Sequence, residues 1–297
     1  RLDAQLRAKK QILAESISRI GRVNLSTAPP IRVHASPLNY RLRSRLHCDD
    51  SGRAGFFEIR THRVVPIVPE CEIVGPLLRE AIARGDAAGE PGSDVLFLEN
   101  EHQLIRGGHE GPTETLRLSA RGHDYEVALD AFFQVNRHLL GLLIELVEGH
   151  ASGLTSTGRA LDLYGGAGFF AIPLSEHFGM VVTVEADHRG HHLALRNVAG
   201  SPVEAIQSDV LEYLRSERTR PDFVFVDPPR SGVHSGVIEE LDRLDPQVIS
   251  YLSCDPVHLA RDLSRFSARG WSALTIDMID LFPNTHHIET LVSLRRS

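Results

Sequence analysis

Cysteine is scarce: three in 297 residues, at Cys48, Cys71 and Cys254. Their wide spacing is not that of a secreted disulfide framework, so the expected compartment is a reducing cytoplasm. No apolar run approaches the roughly 18 residues that a membrane-spanning helix needs. The first residues lack the pattern of a signal peptide, and there is no internal repeat or low-complexity tract. What remains is a composition of 42% hydrophobic and 24% charged residues, that of a globular protein with about two domains. The net charge of −7 is unevenly spread. Residues 1–63 carry thirteen Lys/Arg against five Asp/Glu, a net of +8, so the remainder carries −15. That asymmetry suits a basic surface facing RNA joined to an acidic body, and equally a solvated basic helix followed by a loop.

Hydrophobic periodicity divides the chain into a basic N-terminal helix (1–29), a β-rich middle (30–130) and a region of alternating strands and helices (131–297). The helix ends near Gly21. In the last region RALDLY, MVVTVEA, DFVFVDP and VISYLSC are near-continuous apolar strands. Such strands imply a parallel sheet covered on both faces, an α/β fold of Rossmann type. SALTIDMIDLF and HHIETLVSLRR add a final antiparallel pair.

Chemistry-bearing residues fall at the ends of these strands. ALDLYGGAGFFAIPL runs from a strand through Tyr164, Gly165, Gly166 and Gly168 into a helix, a turn that lets backbone approach a ligand at a helix N-terminus. Glu185, twenty residues beyond Gly165, is placed to accept hydrogen bonds from ribose hydroxyls, and Asp209 to meet an adenine amino group. The glycine turn alone also fits NAD or plain packing. Asp227 closes a strand before two stiffening prolines in VFVDPPRSG. Cys254 ends another strand directly before a Pro-initiated helix, whose N-terminus favours the thiolate, while Asp255 beside it acts against. Glu289 sits in an otherwise apolar strand, where a carboxylate needs a partner or a task. His286 and His287 are adjacent, but no Cys/His/Asp cluster stands at metal-ligand spacing. Arg41, Arg43 and Arg45 would share one face of a strand and could form a phosphate track.

FFQVN (132–136), DLYGGAG, DPPRSG, SCDP and FPNTHHIE, in this order, resemble the RNA uracil-C5 methyltransferases that modify tRNA and ribosomal RNA. The resemblance spans essentially the whole chain. It implies an S-adenosylmethionine methyltransferase sheet with a smaller β-rich domain, acting as a monomer on a uridine in an RNA loop or single strand, with no membrane. It implies that Gln134 and the Gly165 turn contact the cofactor and Glu185 its ribose. Tyr164, Asp209 and Asp227 join them as cofactor-binding candidates, and Arg230 joins Arg41, Arg43 and Arg45 as candidates to meet RNA. Asp227 would hold the uracil edge, Cys254 would add to C6, and Glu289 would be the general base. Departures occur at Gly165 (usually Cys or Ser), Asp255 (usually Asn) and Asn284 (usually His). The resemblance further implies a longer parent, with an N-terminal β-barrel and three more cysteines that would join Cys71 around a four-iron four-sulfur cluster; no cluster is expected on this chain, since one cysteine cannot hold it. Other readings are a cytosine-C5 RNA methyltransferase, for which no second cysteine is seen near the sheet edge, an NAD-dependent oxidoreductase, and a non-enzymatic RNA-binding or folding protein.

Overall fold

A computed structural model describes residues 2–24, 26–107, 114–154 and 157–296. It opens with α1 (Leu2–Arg19) and β1 (Ile31–His34), followed by β2 (Arg43–Cys48), β3 (Ala54–Phe57), β4 (Val64–Pro66), α2 (Pro76–Arg84), β5 (Asp94–Glu99), β6 (Leu104–Gly107), β7 (Thr115–Ala120) and β8 (His123–Ala128). After α3 (Leu140–Ala151) come β9 (Arg159–Leu163), α4 (Ala171–Leu174), β10 (Met180–Glu185), α5 (His188–Asn197), β11 (Val203–Gln207), α6 (Val210–Ser216) and β12 (Phe223–Val226). The chain closes with α7 (Ser235–Leu244), β13 (Val248–Ser253), α8 (Pro256–Ser267), β14 (Trp271–Ile279) and β15 (Glu289–Arg296).

Two compact units result, one of Arg1–Ser36 with Gly141–Ser297, the other of Pro37–Leu140. The first holds an eight-stranded sheet in the order β1-β14-β15-β13-β12-β9-β10-β11. Within it β15 runs antiparallel to both neighbours, and every other pairing is parallel. Every residue of β12 and β13 is buried, as continuous apolar strands under two helical layers must be. Leu161, Leu163, Val224, Val226, Ile249 and Tyr251 meet Leu259, Leu263 and Phe266 of α8 in one core, which Leu13 and Ile17 of α1 also enter.

The sequence divisions at 29/30 and 130/131 do not coincide with these units. The strand-like stretch that starts the β-rich middle splits, and its first strand, β1, lies parallel to β14 at the edge of the large sheet. Asp277 on β14 holds it there: fully buried, it takes hydrogen bonds from Arg32 Nε and the His34 ring, each at 2.7 Å. A buried carboxylate without those partners would cost several kcal/mol, on the order of the desolvation of a charge.

The second unit contains a five-stranded antiparallel sheet, β4-β3-β2-β5-β6, and the separate hairpin β7–β8. PLLREAIARG is the one helix of this unit that the spacing predicts, α2, closed by Gly85 at φ +82°. No helix among the described residues is long and apolar enough to cross a membrane.

Candidate active site

Strand order reverses between β9 and β12, and the carboxyl ends of the parallel strands share one edge of the sheet. Open α/β sheets bind ligands there. The turn after β9, Glu185 at the end of β10, Asp209 after β11, Asp227 after β12 and Cys254 after β13 all lie on this edge. Glu289 reaches it from the opposite direction. β15 begins there, pairing Thr290 with Ser253 and Glu289 with Ile279, so Glu289 stands one step past the last pair beside Cys254. The antiparallel strand is what brings a base candidate to the nucleophile candidate.

The glycine turn is built for close approach. Tyr164 carries φ +62°, and Gly166 and Gly168 carry φ +54° and +78°. A Cβ at Gly166 would meet nothing within 4 Å, leaving the peptide open to a ligand. Glu185 closes the turn from β10, accepting from Gly166 N at 2.8 Å and from Asp187 N at 2.7 Å. Gly165 is different: a Cβ there would stand 1.9 Å from Thr183 Oγ1 and 2.8 Å from Asp162 Oδ2. The Thr183 hydroxyl, donating to Asp162 at 2.9 Å, fills that space. Burial raises the Asp162 carboxyl to about 7. Asp209 serves as the N-cap of α6, with Oδ1 accepting from Leu211 N at 2.8 Å and Glu212 N at 3.1 Å. An open peptide, a partly exposed carboxylate on the next strand and a polar cap on the third make a set that fits a nucleoside cofactor.

The reacting edge is electrostatically tense. Glu289 is buried, and desolvation followed by the nearby Asp227 carboxylate pushes its carboxyl up to about 8. Cys254 is half-buried; desolvation, then Glu289, then Asp227 push its thiol up to about 11. The expectation that the α8 N-terminus favours the thiolate is corrected here. Asp255 occupies that N-terminus itself, accepting from Val257 N at 2.9 Å and His258 N at 2.8 Å. The carboxylates that chiefly raise the Cys254 thiol are Glu289 and Asp227. Arg230 is the cation that lowers both Cys254 and Glu289. It donates to the His287 ring at 2.7 Å.

Asp262, which the sequence reading passed over, builds the Arg230 loop. Fully buried on α8, it accepts from Val233 N and Tyr251 OH, each at 3.0 Å. Arg261, paired to Asp262, donates to Ser231 O at 2.8 Å. The signal was present: Asp262 falls among Leu259, Leu263 and Phe266 on the apolar face of its helix, where a charge needs partners.

Gln134, Arg41, Arg43 and Arg45 belong to the other unit. Alternation does set Arg43 and Arg45 on one face of β2, opposite the buried Ser44, Leu46 and Cys48. The three arginines do not form an exposed track, however. Burial lowers the Arg41 and Arg43 guanidiniums, Arg41 lies over the Phe56 ring, and Arg43 donates to Ala131 O. Arg45 alone of the three is exposed, 4.0 Å from Asp94. Cys71 packs with Cys48 in a small apolar cluster. No group of three or more His, Cys, Asp or Glu among the described residues could hold a metal ion. The residues present therefore do not fit a four-cysteine iron–sulfur cluster.

The sequence model of the tRNA (uracil-5-)-methyltransferase family matches residues 100–217 and 211–297. An uncharacterised RNA methyltransferase of Bifidobacterium longum is 29% identical over 336 residues, covering 99% of this chain and 76% of that protein. One from Thermotoga maritima is 35% identical over 173 residues, covering 57% of this chain and 39% of that protein. Among solved structures, the Pyrococcus abyssi tRNA (uracil-54, C5)-methyltransferase in complex with S-adenosyl-L-homocysteine superposes with a TM-score of 0.80. It is 24% identical, with 99% of this chain and 83% of that chain covered, and the two share a fold.

Proposed function

The chain belongs to the tRNA (uracil-5-)-methyltransferase family, and we propose that it methylates C5 of a uridine in tRNA or ribosomal RNA through a covalent adduct on Cys254. The observation that carries this reading is the meeting of Cys254, Glu289 and Asp227 at one sheet edge, close enough that both carboxylates raise the thiol and Asp227 raises Glu289. Uracil C5 is a poor nucleophile until a group adds at C6. The Cys254 thiol loses its proton to solvent and its sulfur bonds to C6, sending the ring electrons towards O4. Asp227 holds the uracil edge while this charge develops. S-adenosylmethionine, when bound, supplies the electrophilic methyl that C5 takes. The Glu289 carboxylate then removes the C5 proton; those electrons restore the C5–C6 double bond and expel the sulfur. A base near 8 is well matched to this task, because general-base catalysis favours a pKa close to the working pH.

Gly166, Gly168 and Glu185 would hold the cofactor, with Tyr164, Asp209 and Gln134 beside them in role. Arg230, and Arg45 in the β-rich unit, are the exposed cations suited to meet phosphate. A uridine in a loop or single strand is favoured as substrate, since extruding a stacked base costs a few kcal/mol. A monomer in the cytoplasm completes the reading. The test is methyl transfer to unmodified tRNA and ribosomal RNA transcripts, with the modified nucleoside identified. 5-Methyluridine is expected; 5-methylcytidine would replace this reading with the cytosine one. With 5-fluorouridine RNA and cofactor, a stable protein–RNA adduct should form and vanish in Cys254→Ala. Undiminished adduct in that variant would remove Cys254 from the mechanism.

A further inference from the structure

The segment that delivers Glu289 is gripped by a helix from the other end of the chain. Residues 280–288 link β14 to β15 and carry His287. Lys9, on α1, sits 2.6 Å from Asp280 Oδ1 and donates to Phe282 O at 3.0 Å; both charged residues are buried. One helical turn earlier on the same face, Gln5 donates to Asn284 Oδ1 at 2.9 Å and accepts from Asn284 N at 3.1 Å. Asn284 takes φ +62° there, a turn that this reciprocal pair fixes. Inside the segment, Thr285 Oγ1 donates to Phe282 O at 2.7 Å and accepts from His287 N at 3.3 Å. Phe282 contacts the His287 ring edge-on at 5.3 Å, and His287 in turn holds Arg230. α1 also packs on α8, the helix that follows Cys254. One helix thus braces the elements on both sides of the reacting pair.

We infer that Gln5 and Lys9 are positioning residues, which fix residues 280–288 and through them the Glu289 carboxylate and the His287–Arg230 pair. The inference rests on Glu289 being the base proposed above. A buried ion pair adds little net stability over a well-packed apolar one, so the role inferred for this pair is to specify where the segment sits. Lys9 ties two oxygens of one segment, Asp280 Oδ1 and Phe282 O, to a single point on α1.

The experiment uses the full chain as wild type, Gln5→Leu, Lys9→Met, Lys9→Arg and Glu289→Gln. Each is assayed for methyl transfer to unmodified tRNA and ribosomal RNA transcripts, for methylated RNA left covalently attached, for cofactor affinity by calorimetry, and for Tm. A displacement of about 1 Å at a reacting group costs up to about 100-fold in rate. On that scale Lys9→Met should lower kcat about 10- to 100-fold and the half-buried Gln5→Leu about 3- to 10-fold. Kd for cofactor should stay within about twofold, since neither residue is proposed to touch a ligand, and KM for RNA should fall together with kcat, since the slowed step follows methyl transfer. Both variants should accumulate the attached methylated RNA, because proton removal is the step that is slowed, and Lys9→Arg should restore most of kcat. If Lys9→Met does not fold, Gln5→Leu alone decides. Loss of kcat with lowered Tm but no attached RNA overturns the inference in favour of a structural role. So does a Gln5→Leu variant that matches wild type while Glu289→Gln is impaired. A Glu289→Gln variant that turns over normally overturns the base assignment, and with it the purpose of the clamp.

Discussion

Replacing Glu289 with Gln should stabilise the protein while stopping its turnover, and the gain should depend on pH in a calculable way. The carboxyl is moved from 4.5 to about 8, chiefly by burial. A carboxyl whose folded pKa is raised favours the folded state only while it stays protonated. Stability is therefore full below pH 4.5 and is lost as pH rises through 8. Relative to an unshifted carboxyl, linkage gives a cost of about 1 kcal/mol at pH 5, about 3 at pH 7 and up to about 5 above pH 8. Gln is a permanent mimic of the protonated form and escapes this cost. The stability advantage of the variant should thus widen by about 2 kcal/mol between pH 5 and pH 7. Urea unfolding followed by the single tryptophan, Trp271, reads the right unit, since Trp271 is buried at the start of β14 in the same sheet as Glu289. Buried His150, held down at about 4 by desolvation, loses stability as pH falls below 6.5, but equally in both proteins, so it cancels from the difference. Measurements stop at pH 8, below the ordinary cysteine value of 9.0. A difference that does not change with pH would refute the buried, proton-holding carboxyl on which the assignment of Glu289 depends.

Three further outcomes are expected. The methyl-transfer rate should climb from pH 6 to pH 9, because both the Cys254 thiol, at about 11, and the Glu289 carboxyl, at about 8, must lose protons before turnover completes; a flat profile would contradict this. Gly165→Ser should cost about 1–3 kcal/mol of stability and weaken cofactor binding, because its Cβ falls on Thr183 Oγ1. Adding Thr183→Ala should recover part of both losses, and calorimetry with denaturation measures each. Arg45→Gln should reduce the salt slope of RNA binding by about one counterion. Arg43→Gln should instead lower Tm, since its guanidinium is committed to the Ala131 carbonyl.

The sheet and its edge were legible because their signals are local. RALDLY, DFVFVDP and VISYLSC are near-continuous apolar strands, and each leads into residues that carry the chemistry at or next to its end. Alternation correctly paired Arg43 with Arg45, yet a period of two states which residues share a face, not whether that face meets water. β1 was unreadable for another reason. Four residues with one buried position do not specify a partner, and theirs, Asp277, lies 245 residues from Arg32. The grip of α1 on residues 280–288 is equally remote, with Lys9 and Asp280 separated by 271 positions in sequence. Lys9 reads in sequence as one more charge of a basic helix, and only packing shows it buried.

The departures from the family pattern are each matched by something nearby, and the last of them separates two views of Cys254. At Gly165 the Thr183 hydroxyl takes the space of the missing side chain. At Asn284 the amide suits a left-handed backbone and pairs with Gln5. At Asp255 the carboxylate keeps the capping task that Asn would perform, and its Oδ1 is turned to the amides of α8 rather than to the neighbouring sulfur. Asp255→Asn should therefore leave the thiol nearly where it is, whereas Glu289→Gln should bring it down, because Glu289 is the charge that raises it most. Alkylation rates between pH 7 and pH 10, in a Cys71→Ser background so that Cys254 is the reactive thiol, measure the thiolate fraction directly. In wild type the rate should rise about tenfold per pH unit without levelling off, as a thiol near 11 requires. Glu289→Gln should shift that rise to lower pH, and Asp255→Asn should overlay wild type. A larger shift from Asp255→Asn than from Glu289→Gln would mean that the sequence neighbour, not the neighbour across the sheet, sets the reactivity of Cys254.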